Sequence, residues 1–276
     1  MRNTIKNNAL TRIFNLIVTF LLISTLASCG GGGGSTPDAD PTGYYTGGAT
    51  VKDTDGTSDL SLTDLRGMIN GNRVMIMSPT QAILYDATIT SISGNDFTAD
   101  VTIYYGMDAG STTPPPAPIS TTLSGAITEG SQITGTIAGT GIGTGTFSLT
   151  YSFTNSDIAN LANIAKTWTG AINNVPQLSS VFKFNIAGDG TVTVGFVDAA
   201  DKGIFKGCEM TGTVSPIANT TIYSVNVTMK TNSCPETKYE TDYTGFATTS
   251  DTNHNTLVIQ FSNGIVAFLA ELTPAP

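Results

Sequence analysis

What most constrains this chain is a period-two alternation that runs from residue 44 to residue 272 with one clear break. Segments such as Ala82-Ile-Leu-Tyr-Asp-Ala-Thr-Ile-Thr90, Phe97-Thr-Ala-Asp-Val-Thr-Ile-Tyr-Tyr105 and Gly145-Thr-Phe-Ser-Leu-Thr-Tyr-Ser-Phe153 set apolar or aromatic residues against Thr, Ser and Asp. Neighbouring side chains of an extended backbone point to opposite sides, so this alternation produces one dry and one wet face, as in a half-buried β-strand. Turn residues separate the segments, at Asn70-Gly71-Asn72, Ser93-Gly94-Asn95, Glu129-Gly130-Ser131 and a loop holding Pro114, Pro115, Pro116 and Pro118. Short strands at such intervals predict a meander of antiparallel hairpins. Charged residues make up only 12% of the chain, and a composition rich in Thr, Ser and Gly suits strands and turns over helices.

The break falls at Asn155 to Lys166. There Ile158, Leu161, Ala162 and Ala165 have helical spacing behind Ser156, a candidate N-cap. A linker helix over 155–167 would divide a first β domain (44–154) from a second (168–276). The strand pattern restarts at Trp168-Thr-Gly-Ala-Ile and continues through Val181 to Ile186, a turn at Gly188-Asp189-Gly190, and Thr191 to Phe196. About eight short strands fit this half, and seven or eight fit the first. Tyr45-Thr-Gly, Trp168-Thr-Gly and Tyr243-Thr-Gly echo one another. The fold expected is all-β, two small antiparallel meander β-barrel-like domains joined by a short helix, with β-sandwiches as the alternative. The helix followed by Trp-Thr-Gly resembles the entry into small lipocalin-like and avidin-like barrels, a resemblance of pattern that carries over no ligand-binding residues. Closing each sheet would remove the unpaired edges that invite aggregation.

The N-terminus has its own logic. Arg2, Lys6 and Arg12 precede an apolar run from Ile13 to Leu26 that is interrupted by Asn15, Thr19, Ser24 and Thr25. Residues 1–28 have the form of a signal peptide, too broken for the roughly 20 apolar residues of a spanning helix. Leu26-Ala27-Ser28-Cys29 resembles the lipobox of bacterial lipoproteins. That resemblance implies cleavage before Cys29, diacylglycerol on its thiol and acylation, such as palmitate, on the new amine. Two or three chains, at about 0.8 kcal/mol per buried CH₂, hold a protein to a membrane. Gly30 to Gly34 and the segment on to residue 43 read as a tether. Gly30 after the Cys resembles lipoproteins sent to the outer membrane of the cell envelope.

Without its leader the chain would carry 9 basic against 21 acidic residues, a formal charge of −12, which argues against nucleic acid as a partner. With Cys29 lipidated, Cys208 and Cys234 remain as a pair. In an oxidising compartment a disulfide between them would close a loop of about 26 residues and add roughly 3 kcal/mol on the chain-entropy model. Two free buried thiols are the alternative.

Candidate chemistry is sparse. Asp53, Asp55 and Asp59 flank Gly56 in a pattern that weakly suggests a Ca²⁺ loop, although it lacks the closing Glu of an EF-hand, and a solvated hairpin turn is the plainer expectation. His254 is the sole histidine and sits in the polar run Asp251-Thr-Asn-His-Asn255. No Gly-x-Ser-x-Gly elbow accompanies it, and no cofactor is expected. Tyr45, Tyr105, Trp168, Phe182 and Phe184 could line a ligand-holding barrel or simply fill its core. The functional expectation is a non-enzymatic, lipid-anchored module that binds a small apolar ligand or an envelope protein. A structural or adhesion lipoprotein contacting envelope proteins or glycans is the second class, and an enzyme using His254 the third. A ligand-sized cavity would separate the first class from the second.

Overall fold

The computed structural model describes residues 37–52, 59–105, 117–139, 142–152, 158–171, 181–196, 208–230, 240–250 and 253–276. It forms two closed antiparallel barrels of eight strands each, joined in simple sequence order. Barrel 1 comprises β1 (Gly43–Lys52), β2 (Asp59–Asn70), β3 (Arg73–Ser78), β4 (Ile83–Ser93), β5 (Asp96–Tyr105), β6 (Ile119–Thr128), β7 (Gln132–Gly139) and β8 (Ile142–Tyr151). Barrel 2 comprises β9 (Thr167–Ala171), β10 (Val181–Ile186), β11 (Thr191–Phe196), β12 (Glu209–Pro216), β13 (Ile222–Met229), β14 (Asp242–Thr249), β15 (Leu257–Ser262) and β16 (Ala267–Pro274). Pairing of β1 with β8 closes the first barrel and pairing of β9 with β16 the second. Closure, not a sandwich, is the solution adopted.

The three hairpin turns read from the sequence place Gly71, Gly94 and Gly130 in the left-handed region, at φ near 60°. The first two are two-residue turns and the third, Glu129 to Ser131, has three residues; both kinds use that conformation to match strand twist, and a side chain there would be strained. At the Gly188-Asp189-Gly190 turn the Asp189 carboxylate accepts bonds from the Thr191 amide at 2.9 Å and hydroxyl at 2.8 Å. Those two bonds hold its pKa below the ordinary carboxylate value, which accounts for Asp189 as a turn residue.

The aromatic-Thr-Gly echo has a physical basis. Tyr45, Trp168 and Tyr243 all point inward and are fully buried. Two residues on, each Gly faces the neighbouring strand's backbone at close range: a Cβ on Gly47 would lie 2.1 Å from Ser148 O, on Gly170 3.0 Å from Glu271 O, and on Gly245 2.0 Å from Gln260 O. A large and a small inward residue in succession let a small barrel fill its taper without voids. The first two aromatics are also tied to the chain that enters the barrel. Tyr45 Oη donates to Pro41 O at 2.9 Å and Trp168 Nε1 to Ile164 O at 2.8 Å, each four residues upstream.

Those entering segments cover one end of each barrel. Asp38 to Thr42, assigned to the tether from composition, are fastened down. The Ala39 amide donates to Gly94 O at 2.9 Å, the Gly94 amide to Asp38 Oδ1 at 3.0 Å, and Ala39 is buried. The tether composition hid this because the bonds are made to a distant hairpin. Of the predicted 155–167 helix, the described residues form one turn, α1 (Leu161–Ile164), capped by Asn160, whose Oδ1 accepts from the Ala162 amide at 3.0 Å. Ser156 lies outside the described residues. The turn is short because its apolar groups serve the barrel: Ala159 and Ile164 are buried in the core of barrel 2, and Leu161 packs against that core. Tyr223 Oη both donates to Asn160 O and accepts from its amide, each at 2.9 Å.

Candidate functional site

The interiors of both barrels are closely packed among the described residues. Barrel 1 is packed with Ile, Val, Leu and Phe side chains from all eight strands. Two internal voids lined by described residues measure about 10 and 20 Å³, against the roughly 300–1,000 Å³ of small-molecule sites. Barrel 2 is filled by an aromatic cluster in which Tyr243 meets Phe268 edge-on at 5.3 Å while Phe268 stacks on Phe261 at 5.1 Å. Tyr45 packs edge-on against Tyr151 at 5.3 Å inside barrel 1. Trp168 and Phe184, paired across β9 and β10, are fully buried in barrel 2. These three candidate ligand-lining residues are therefore core packing. Tyr105 and Phe182 lie in β5 and β10, but their side chains are not among the described ones.

The remaining candidates stand apart. His254 adopts a left-handed φ of 52°, its Nδ1 lies 3.1 Å from Thr249 Oγ1, and its carbonyl accepts from Lys166 Nζ at 2.9 Å. Lys166 in turn sits 4.7 Å over the Trp168 ring. The histidine thus belongs to a loop tie beside the barrel entry. Asp53 and Asp55 lie outside the described residues, and Asp59 opens β2 opposite Lys52. Among the described residues no group of three or more His, Cys, Asp or Glu side chains converges as a metal site would require. Cys208 is buried at the start of β12, while Cys29 and Cys234 fall outside the described residues.

The feature that sequence reasoning missed is a third apolar cluster, outside both barrels and between them. Tyr44, Met68, Met75, Met77, Leu84 and Tyr104 of barrel 1 meet Ile222, Phe246, Val258, Ala267 and Leu269 of barrel 2. Each fully buried side chain of this size contributes about 1.5–3 kcal/mol, so the seam fixes the barrels to each other. The signal was present as lost alternation. Burial is continuous over Val74–Ser78 and Leu257–Ser262, as in strands covered on both faces.

Polar groups seal the seam. Gln260 is fully buried and its Nε2 donates to Met75 O at 2.9 Å; its Oε1 has no partner among the described residues. The Ser262 hydroxyl donates to Asp86, which also pairs with Arg73 at 3.1 Å. The Arg73 guanidinium continues across to Thr244, donating to its carbonyl at 3.0 Å and to its hydroxyl, and lies 5.9 Å over the Phe246 ring. Arg66 reaches Glu271 at 3.3 Å. Beside this rim β3 to β6 carry two polar rows in register, Arg73, Thr88, Asp100 and Thr122 in one, Asp86, Thr102 and Ser120 in the next. All of these but Thr122 bound, with Tyr104 and Gly264, a groove of about 540 Å³. A second surface hollow, about 500 Å³, lies on barrel 2 around Lys183, Thr193, Glu209 and Lys230.

Burial at these sites shifts tyrosine ionisation. Tyr44 is pushed up to about 12, mainly by loss of water, with Arg66 opposing and Glu271 adding. Tyr45, Tyr104 and Tyr223 are raised for the same first reason. A neutral phenol is thereby favoured in the folded state. The stability this supplies is complete below the ordinary value near 10 and lost as pH climbs through about 12. Stability should hold to about pH 10 and then fall steeply, with tyrosinate absorbance rising together with the loss of circular dichroism. Full tyrosine ionisation near pH 10 with the fold intact would contradict these burial assignments.

No family model matches the chain, and no curated protein matches it. Among solved structures it is similar to the isotype 1 transferrin binding protein B from serogroup B Neisseria meningitidis, at 6% identity and a TM-score of 0.31. The match covers 78% of this chain and 59% of that one, so the chain spans less than two thirds of the structure it resembles.

Proposed function

We propose that this protein is a lipid-anchored, non-enzymatic module of the bacterial cell envelope that acts through its outer surface. The observation that carries this is the close packing of the described core: the voids that described residues line in barrel 1 measure only about 10 and 20 Å³, and barrel 2 holds its own aromatic cluster. Of the two non-enzymatic classes expected from sequence, the structural or interaction class fits better than the carrier of a small apolar ligand. Diacylglyceryl-Cys29 would hold the module at the membrane, the outer membrane by the Gly30 criterion, with the Gly-rich run after it as the tether. We further propose that Cys208 pairs with Cys234, a reading supported by the burial of Cys208.

Native mass spectrometry of residues 38–276, produced in an oxidising compartment, tests the proposal. An apo mass two hydrogens light is the expected result. A retained lipid or metabolite released on denaturation would return the protein to the carrier class.

A further inference from the structure

We infer that the groove beside the inter-barrel seam is a binding site for a neutral oligosaccharide. The inference rests on the surface-acting role proposed above and names the ligand class for one part of that surface.

The groove's size, about 540 Å³, falls in the range of small-molecule sites. Its chemistry narrows the occupant. Around one guanidinium, Arg73, and two carboxylates, Asp86 and Asp100, stand the hydroxyls of Thr88, Thr102 and Ser120. The single positive charge is already bonded to Asp86 and Thr244, so a phosphate or another anion would meet an unopposed Asp100. The wall is mostly polar, with Tyr104 buried beneath it, so a lipid chain would strand hydroxyls and gain little apolar contact. A sugar instead offers donors and acceptors at every ring position, and carboxylates and hydroxyls can answer both.

The geometry adds to this. Antiparallel register sets Thr88 opposite Asp100 and Thr102 opposite Ser120. Directly opposite side chains stand about 5 Å apart and successive ones on a strand about 7 Å, spacings that can address hydroxyls across one sugar ring or on neighbouring rings. Among the described residues no side-chain hydrogen bond or ion pair engages Thr88, Asp100, Thr102 or Ser120. The scaffold around them is fixed. Asp86 is held by Arg73 and Ser262, and Ser262 and the Gly264 backbone also reach the Tyr104 hydroxyl.

The test is a saturation-transfer NMR titration of residues 38–276 with maltotriose, cellotriose and chitotriose, each to about 10 mM, a ceiling that detects affinities down to the millimolar range. At least one should bind. Ser120→Trp, which fills the groove from an exposed position, should weaken that binding at least about tenfold. Asp100→Ala should weaken it and Asp100→Asn should retain most of it. Thr193→Trp, in the hollow on barrel 2, should leave it unchanged. Absence of binding by all three sugars overturns the inference. So does binding that survives Ser120→Trp or is lost with Thr193→Trp. In each of those cases an apo mass in the native experiment leaves the surface-acting role standing, so the two failures are distinguishable.

Discussion

Trp168→Ala should cost about 3–5 kcal/mol of stability, the range for truncating a buried aromatic, out of the roughly 5–15 kcal/mol a domain possesses. The residue is fully buried, and three losses coincide. The core of barrel 2 gains a cavity, the Ile164 carbonyl loses its indole donor, and the Lys166 ammonium loses the ring beneath it. The entry turn is released as well, because Trp168 is the tie between α1 and the first strand. Trp168→Phe keeps most of the volume and should cost mainly the hydrogen bond, about 1 kcal/mol. Urea denaturation followed by circular dichroism separates the two variants. A loss below about 1 kcal/mol for the alanine variant would mean that Trp168 does not anchor the barrel.

Leu269→Asp places a carboxylate in the seam at a fully buried position. An uncompensated charge there must either ionise without a partner or take up a proton at a cost. About 3–5 kcal/mol is expected, as when a buried ion pair loses one member. The side chain faces barrel 1, not the core of barrel 2, so the loss should appear as uncoupling of the barrels. The wild type should unfold in one cooperative transition and the variant in two, as read by calorimetry. Arg73→Ala should act in the same direction more weakly, because its bonds to Asp86 and Thr244 lie at the partly exposed rim.

The strands were legible in the sequence because Thr and Ser alternate with apolar residues wherever one face meets water. Val181–Ile186 and Thr191–Phe196, for example, begin and end where the alternation does. Closure was less legible, since it depends on pairing between β1 and β8, about a hundred residues apart. Alternation cannot say which distant strands meet. The helix was overestimated because Ile158, Leu161 and Ala165 match a helical period, whereas Ile164 and Ala159 are buried against barrel 2 and Ile158 is exposed; tertiary burial, not periodicity, set its length. The same competition hid the docked stretch from Asp38 to Thr42, whose fastenings are made to Gly94 and Gly71.

The candidate site was the least legible part. Aromatics such as Tyr45, Trp168 and Phe184 have the chemistry of a ligand pocket, but the same residues fill a small barrel, and only the volume left over decides between the two. The seam left a trace that period-two reasoning passes over. In Val74-Met-Ile-Met77 and Leu257-Val-Ile-Gln-Phe261 apolar residues occupy both faces of the strand. Half of such residues belong to the barrel core and half to a surface that must be covered. The polar groove was invisible in sequence because Arg73, Asp86, Asp100 and Ser120 come from four strands and are brought together only by register.

The seam should lock the two barrels into one body. Nitroxide labels at Thr146→Cys on β8 and Thr213→Cys on β12, both exposed positions, address it directly through the distance distribution between them measured by pulsed electron paramagnetic resonance. The seam predicts one narrow distribution that broadens when Leu269→Asp is added. A broad or multiple distribution in the otherwise unaltered protein would show barrels that move independently and would contradict the account.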